Sequence, residues 1–489
     1  MSMKKEFISS TKWNAISTLL TAILGLVQLW ALSHILDEES FGIISAAMVF
    51  ISIIGVFTNF GIGNTIIRTQ NINIIEISSI FIFGIFLGFF AWAVLYFSSE
   101  YISSQLHSEK LNIQLKIASI SLIFLSLGQC HKAALIKQLK FRVLSLANLG
   151  CTALAFLISI AYAWYYKSPV GVAVGFTISN VILCIIYYIY ARNIIEISAV
   201  FSYSSIKKHL NLCFQSFIDS IMNAINLNIA PIVVGKIIGI KYLGGYNIAN
   251  TLSGFTSAKL LPVLYQVLFP SLSKIQNEEA RLKKVFLDVS SVIYFSITPM
   301  FIGLYIIADP LIKLFFDEKW YFIVPVVKIL SVTYYFRCIC GPYMSVLILK
   351  GKIYLSTISN LLSLLLFTTL SYLGGKYYGV NGVALGFFLS QIIVFTFILY
   401  VIVYKCIDIN ILDYLYCVLT PLIHCIPMVL IALFINLTLS TSYPVTQFTI
   451  ILFVSVIIYC ITIVCSPSRK SIDFKKIVYG LLKIHNPTK

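Results

Sequence analysis

Apolar residues run along this chain in blocks of about 20, each closed by a short polar turn, the length a helix needs to cross a bilayer. Counting the blocks predicts about fourteen transmembrane helices. They fall at residues 13–36, 41–60, 77–97, 111–134, 143–166, 169–191, 210–234, 245–269, 285–308, 324–349, 353–373, 380–404, 414–437 and 447–465. The fold class expected is an all-α polytopic membrane protein.

The seventh span departs from a plain apolar pattern. It carries Gln215, Asp219, Asn223 and Asn226. On a helix these four lie within about 80° of one another, so they form one polar stripe. Asn and Gln in a membrane helix can serve as hydrogen-bond glue between helices. An ionisable group in the middle of the stripe favours the other reading, the wall of a polar cavity.

The composition agrees with a membrane class: 59% of residues are hydrophobic and 11% charged. A net charge of +17 would suggest nucleic acid as a partner if the basic residues formed a stripe. They cluster instead in alternate short loops: Lys4, Lys5 and Lys12; Lys132, Lys137, Lys140 and Arg142; Lys207 and Lys208; Lys274, Arg281, Lys283 and Lys284; Lys350 and Lys352. That asymmetry places both termini in the cytoplasm and leaves no nucleic-acid role. The cysteines sit mostly inside apolar spans without ligand spacing and read as small apolar residues, with no metal or disulfide function.

A weak internal repeat is visible. Phe41-Gly42 after the first span matches Gly244-Gly245 after the seventh, an offset of about 203 residues, or six helices, as expected of parallel repeats. The organisation it implies is an N-terminal lobe over 1–192, a cytoplasmic linker over 193–209 and a second lobe over 210–405. Two further helices over 406–466 and a basic cytoplasmic tail over 467–489 complete it.

The loops leave little room for catalysis. Asp309, Asp317 and Glu318 superficially resemble a carboxylate site. They read better as interfacial charges on a short surface helix, with Trp320 as an aromatic anchor. No Gly-rich loop with Lys-Ser/Thr is present to cradle a nucleotide phosphate. Three charges lie deep within spans: Asp219, Lys259 and Arg337, each about 9–14 residues from its helix start, or roughly 13–20 Å in. Two readings follow: a structural Asp219–Lys259 or Asp219–Arg337 pair, or cations that meet an anionic cargo. Tyr246, Asn247 and Asn250 are positioned to meet sugar or to anchor an interface.

Further motifs carry a family likeness. They are Asp219-Ser220-Ile221, Asn223, Asn226 and Asn228; Gly244-Gly245-Tyr246-Asn247; Lys259-Leu260 and Pro262; Val267-Leu268-Phe269-Pro270; and Lys274-Ile275-Gln276. Earlier echoes are Lys12-Trp13 and Phe60-Gly61-Ile62-Gly63-Asn64; a later one is Glu318-Lys319-Trp320. With these the chain resembles the Wzx-type lipid-linked polysaccharide flippases, of the colanic acid exporter-like branch. That branch belongs to the multidrug/oligosaccharidyl-lipid/polysaccharide exporter superfamily.

The resemblance implies two pseudo-symmetric six-helix lobes around a central V-shaped cleft, plus two C-terminal helices, working by alternating access. Its cargo would be an undecaprenyl-diphosphate-linked oligosaccharide, crossing from the inner to the outer leaflet of a bacterial inner membrane. Lys259 and Arg337 would bind the diphosphate, and Gln215, Asp219, Asn223, Asn226, Asn247 and Asn250 would line the cavity. Partners would be membrane lipids, a glycan polymerase and a chain-length regulator. Some drug-exporting relatives use an acid in the first helix for proton coupling, and 13–36 contains none. Asp219 is then the coupling candidate, for H+ or Na+, and no other cofactor is expected. The competing readings are an ion-coupled drug or small-molecule antiporter and, more distantly, a membrane glycan polymerase or ligase.

Overall fold

The computed structural model describes residues 3–69, 72–198, 200–259, 261, 278–350, 352, 354–401, 406, 409–438 and 444–466. The basic tail over 467–489 and the motif residues Pro262, Val267–Pro270 and Lys274–Gln276 lie outside them. The regular structure of the described residues is helical throughout.

Two compact units divide the chain at Asn247/Ile248. The first holds α1 (Met3–Ile35), α2 (Glu38–Ile54), α3 (Val56–Asn59), α4 (Ile62–Arg68), α5 (Ile74–Gln105), α6 (Glu109–Lys137), α7 (Phe141–Tyr166), α8 (Val170–Ala191) and α9 (Tyr203–Ile237), together with the start of α10 (Ile240–Lys259). The second holds the rest of α10, α11 (Glu279–Phe315), a 3-10 turn (Glu318–Ile323), α12 (Val324–Ile339), α13 (Tyr343–Leu349), α14 (Tyr354–Tyr400), α15 (Ile411–Thr438) and α16 (Pro444–Cys465).

The compact boundary falls later than the 193–209 linker read from the repeat. The reason is packing: α9 lies along α2, α3, α4 and α5. Phe217 of α9 meets Phe57 at 5.0 Å and Phe60 at 4.6 Å, and Thr65 shares a 3.2 Å contact with the Cys213 thiol. Within the same unit α6 packs on α5 and α8, and α1 packs on α7. Small residues allow the close approach of α5 and α6, where Ser126 donates its hydroxyl to the Gly84 carbonyl. The linker itself is strapped to the start of α5: Ser198 N–H donates to Ser78 Oγ at 2.8 Å and Ser202 N–H to Ser79 Oγ at 2.9 Å.

In the second unit α11 packs on α12, α15 and α16, and α12 packs on α14. A buried hydrogen-bonded pair ties three of these helices, with Tyr294 Oη donating to the Ile339 carbonyl at 3.0 Å and meeting Tyr414 Oη at 3.0 Å.

Among the described residues, twelve segments are long and apolar enough to cross a membrane, against about fourteen expected from the apolar blocks. One of the twelve, Tyr354–Tyr400, is a hairpin of the two helices expected at 353–373 and 380–404. The chain turns at Gly379 (φ 60°, ψ −143°), a conformation open to glycine. Its legs then close on each other: Phe367 stacks on Phe387 at 4.3 Å, and Ser371 donates to the Val383 carbonyl at 3.3 Å. The eighth expected span, 245–269, is described only as far as α10 and Leu261.

Asp37 starts α2 as its N-cap, accepting the Ser40 N–H at 2.9 Å. Burial works to raise its pKa, but the hydrogen bonds from Ser40 and the charge of Lys110 hold it below the ordinary carboxylate value. A lowered pKa stabilises the folded state above the ordinary value, and that contribution is lost as pH falls through the lowered one. Asp37→Ala is expected to cost about 0.5–2 kcal/mol at neutral pH. The melting-temperature difference from wild type should shrink once the medium is acid enough to protonate the cap.

Candidate functional site

The turns related by the repeat meet each other. α2 and α10 cross at Gly42 and Gly244 with almost no side chain between their backbones. A Cβ added at Gly42 would touch the Ile240 carbonyl oxygen and lie 2.6 Å from its carbon. One added at Gly244 would lie 2.8 Å from Gly42 N and 2.9 Å from the Glu38 carbonyl oxygen. No side chain survives at such distances without backbone movement, so glycine at both positions is what lets the helices close.

Polar contacts flank that crossing along α2. Glu38 pairs with Lys241 at 2.8 Å, and the hydrogen bond and charge of Glu38 raise the Lys241 pKa above its ordinary value. Farther along, Asn247 Nδ2 donates to Ser45 Oγ at 3.0 Å. Asn228 of α9 donates to Ser52 Oγ at 2.9 Å and to the Ala224 carbonyl at 2.7 Å. The repeat offset of about 203 residues pairs Gly42 with Gly245, whereas the contact is between Gly42 and Gly244; the sequence reading therefore singled out the two turns but not the glycines that touch.

The polar stripe of α9 is placed in part. Asn223 is exposed, whereas Asn226 is half-buried, and among the described residues its Oδ1 has no hydrogen-bond partner. The side chains of Gln215 and Asp219 lie outside the described residues. Asn247 is committed to Ser45, and Asn250 accepts the Tyr334 hydroxyl at 2.7 Å. These two asparagines therefore hold helices together in this conformation. Tyr246 is fully buried. Asn223→Leu and Asn226→Leu are expected to lower transport per molecule while abundance stays at the wild-type level. Quantitative blotting beside a transport assay checks this; reduced abundance with normal transport per molecule would make them glue.

In the second unit, α10 and α12 are joined by the Asn250–Tyr334 bond and by Ser253 Oγ donating to the Val327 carbonyl at 3.3 Å. Gly254 gives the Tyr334 ring room, since a Cβ there would lie 3.1 Å from it. Arg337 follows Tyr334 by one turn and is half-buried, and Lys259 ends the described helix of α10, also half-buried. Among the described residues neither cation has an ion pair or a hydrogen bond.

The acids near 309–318 have a different fate. Asp309 pairs with Lys313 at 3.0 Å and Asp317 with Lys319 at 3.4 Å. Trp320 is fully buried in the 3-10 turn with Lys319 over its ring at 5.8 Å, so it is a core residue and not the interfacial anchor its position suggested.

The helical architecture is shared with solved multi-helix membrane proteins. The chain is similar to the solved lipid II flippase MurJ in an inward closed conformation (TM-score 0.76, 20% identity, 95% of this chain and 99% of that one). It is also similar to an inward-facing multidrug resistance MATE family transporter (TM-score 0.64, 12% identity, 84% and 95%). At those identities the likeness shows the fold alone.

Sequence comparison goes further: the chain belongs to the polysaccharide biosynthesis protein family, whose profile matches residues 31–325. An uncharacterized membrane protein in the cps region of Klebsiella pneumoniae is 30% identical over 99% of both chains. The lipopolysaccharide biosynthesis protein WzxC of Escherichia coli K12 is 29% identical over 80% of both. The teichuronic acid biosynthesis protein TuaB of Bacillus subtilis is 25% identical over 72% of this chain and 73% of its own. These relatives bear out the Wzx-type resemblance.

Proposed function

We propose that this protein flips an undecaprenyl-diphosphate-linked oligosaccharide from the inner to the outer leaflet of a bacterial inner membrane, by alternating access, for surface polysaccharide synthesis. The observation that carries the reading is the half-buried pair Lys259 and Arg337, without carboxylate partners among the described residues, in a chain of the polysaccharide biosynthesis family. A diphosphate brings about two negative charges into low dielectric, and two fixed cations offset most of that desolvation. The Arg guanidinium adds a planar fork matched to phosphate oxygens.

Movement needs a gate as well as a site. With both termini cytoplasmic, as the basic loops indicate, the α2–α10 crossing lies at the outer end of its helices. Its glycine contact and the Glu38–Lys241 pair close that end, and release of the glycan requires them to part. Asp219 alternates between a cation partner and H+ or Na+ during the cycle, so that ion binding drives the change. No bond is made or broken: Asp309 and Asp317 are held in ion pairs, and the protein is a transporter and not an enzyme. Membrane lipids surround it, with a glycan polymerase and a chain-length regulator taking up the product.

Deletion of the gene followed by lipid-linked oligosaccharide analysis tests the reading. Undecaprenyl-linked repeat units should accumulate on the inner leaflet. Unchanged amounts with normal surface polysaccharide would overturn it.

A further inference from the structure

The first unit carries a second feature, apart from the cations of the second. A cavity of about 260 Å³ opens between α2, α5, α9 and the start of α10, at the end where Asp37 begins α2. Its walls are apolar: Ala46 and Phe50 from α2, Ile102 from α5, Ile232 from α9 and Leu243 from α10. Gly235 leaves the space open, since a Cβ there would already lie 3.3 Å from Leu243 Cδ2. Lys236, in the last turn of α9, also lines the groove, as do Tyr101 and Gln105 of α5.

Charge decides what fits. Lys236 is exposed and has no ion pair among the described residues, whereas Lys241, five residues on, is held by Glu38. A free phosphate would gain nothing from the apolar walls, and a neutral lipid nothing from the ammonium. The volume falls below the roughly 300–1,000 Å³ of pockets that enclose drug-sized molecules. A groove of that size suits one hydrocarbon chain better than the two of an ordinary phospholipid. The occupant these features select has a single chain and an anionic phosphate head. In a protein whose cargo is prenyl-linked, that is the carrier lipid itself.

We infer that this groove docks the phosphate end of the prenyl carrier, with its first isoprene units between α2, α5 and α9 and its phosphates on Lys236. The inference rests on the flippase reading above and adds a carrier station beside the α2–α10 crossing. Ala46 and Val49 line the groove on the same helix whose Ser45 bonds Asn247, so the station adjoins the seam that opens.

The test is photocrosslinking of the purified full-length protein in nanodiscs with diazirine-bearing undecaprenyl diphosphate, mapped by peptide mass spectrometry. Label is expected on the segments around 101–106 and 231–236. Lys236→Gln should lower it about tenfold, and Gly235→Leu, which fills the groove, should lower it at least as far. Diazirine-bearing undecaprenol should label this groove about tenfold less than the diphosphate, and excess phosphatidylglycerol should not compete. Label confined to other segments would overturn the groove while leaving the flippase reading intact, and no label anywhere would count against both. Equal competition by phosphatidylglycerol, or wild-type labelling in both variants, would also overturn the groove.

Discussion

Gly42→Val should abolish transport while the protein still inserts and accumulates. The added side chain would meet the Ile240 backbone, which no rotamer of a neighbour can relieve. Overpacking of this kind costs about 1–3 kcal/mol or more. Applied to the closed seam alone, that penalty shifts the open-to-closed ratio roughly 5–150-fold. Gly244→Val should act the same way, because its Cβ would press on Gly42 N and Phe41. Gly25→Ala and Gly150→Ala are the controls: nothing lies within 4 Å of a Cβ at either, so both should transport normally. Seam opening can be read directly from a cysteine placed at Ser45, which is buried behind the crossing. An impermeant maleimide should label it markedly faster in the Gly42→Val background than in the wild-type background. Labelling that is equal in both backgrounds would remove the seam from the gating account.

The second large effect is expected at the cations. Arg337→Ala should reduce transport about tenfold or more, the scale of losing a charge-assisted bidentate contact. Arg337→Lys keeps the charge without the fork and should fall between Arg337→Ala and wild type. Lys259→Ala should behave like Arg337→Ala. The readout that separates binding from folding is selectivity. Wild type should prefer a diphosphate-linked lipid over a neutral analogue bearing the same sugar, and the two alanine variants should lose the preference. The same relative preference in all three proteins would return Lys259 and Arg337 to a structural role.

Much of this architecture was legible because bilayer length imposes itself on sequence. The apolar blocks gave the helices, and the gap left between the expected spans 353–373 and 380–404 is where the Tyr354–Tyr400 hairpin turns, at Gly379. Helix ends were less visible: α5 reaches Gln105 and α11 runs from Glu279 to Phe315, well past the apolar windows, since a helix continues through polar residues once packed. Pairwise contacts were illegible for a deeper reason. Asn247 and Asn250 look the same on paper whether they face sugar or a neighbouring helix, and only tertiary placement assigns them to Ser45 and Tyr334. Trp320 followed the statistical habit of interfacial aromatics in sequence, yet the 3-10 turn folds it into the core.

The central claim is that this chain carries a diphosphate-linked glycolipid across a bilayer. Reconstitution tests it most directly: purified protein in liposomes loaded with fluorescent undecaprenyl-diphosphate oligosaccharide, with label on the inner leaflet only and an impermeant quencher outside. Wild-type protein should bring the label to the quencher far faster than protein-free liposomes, while Gly42→Val and Arg337→Ala should not. Quenching by wild type at the protein-free rate, with the expected ion gradients imposed, would contradict the account.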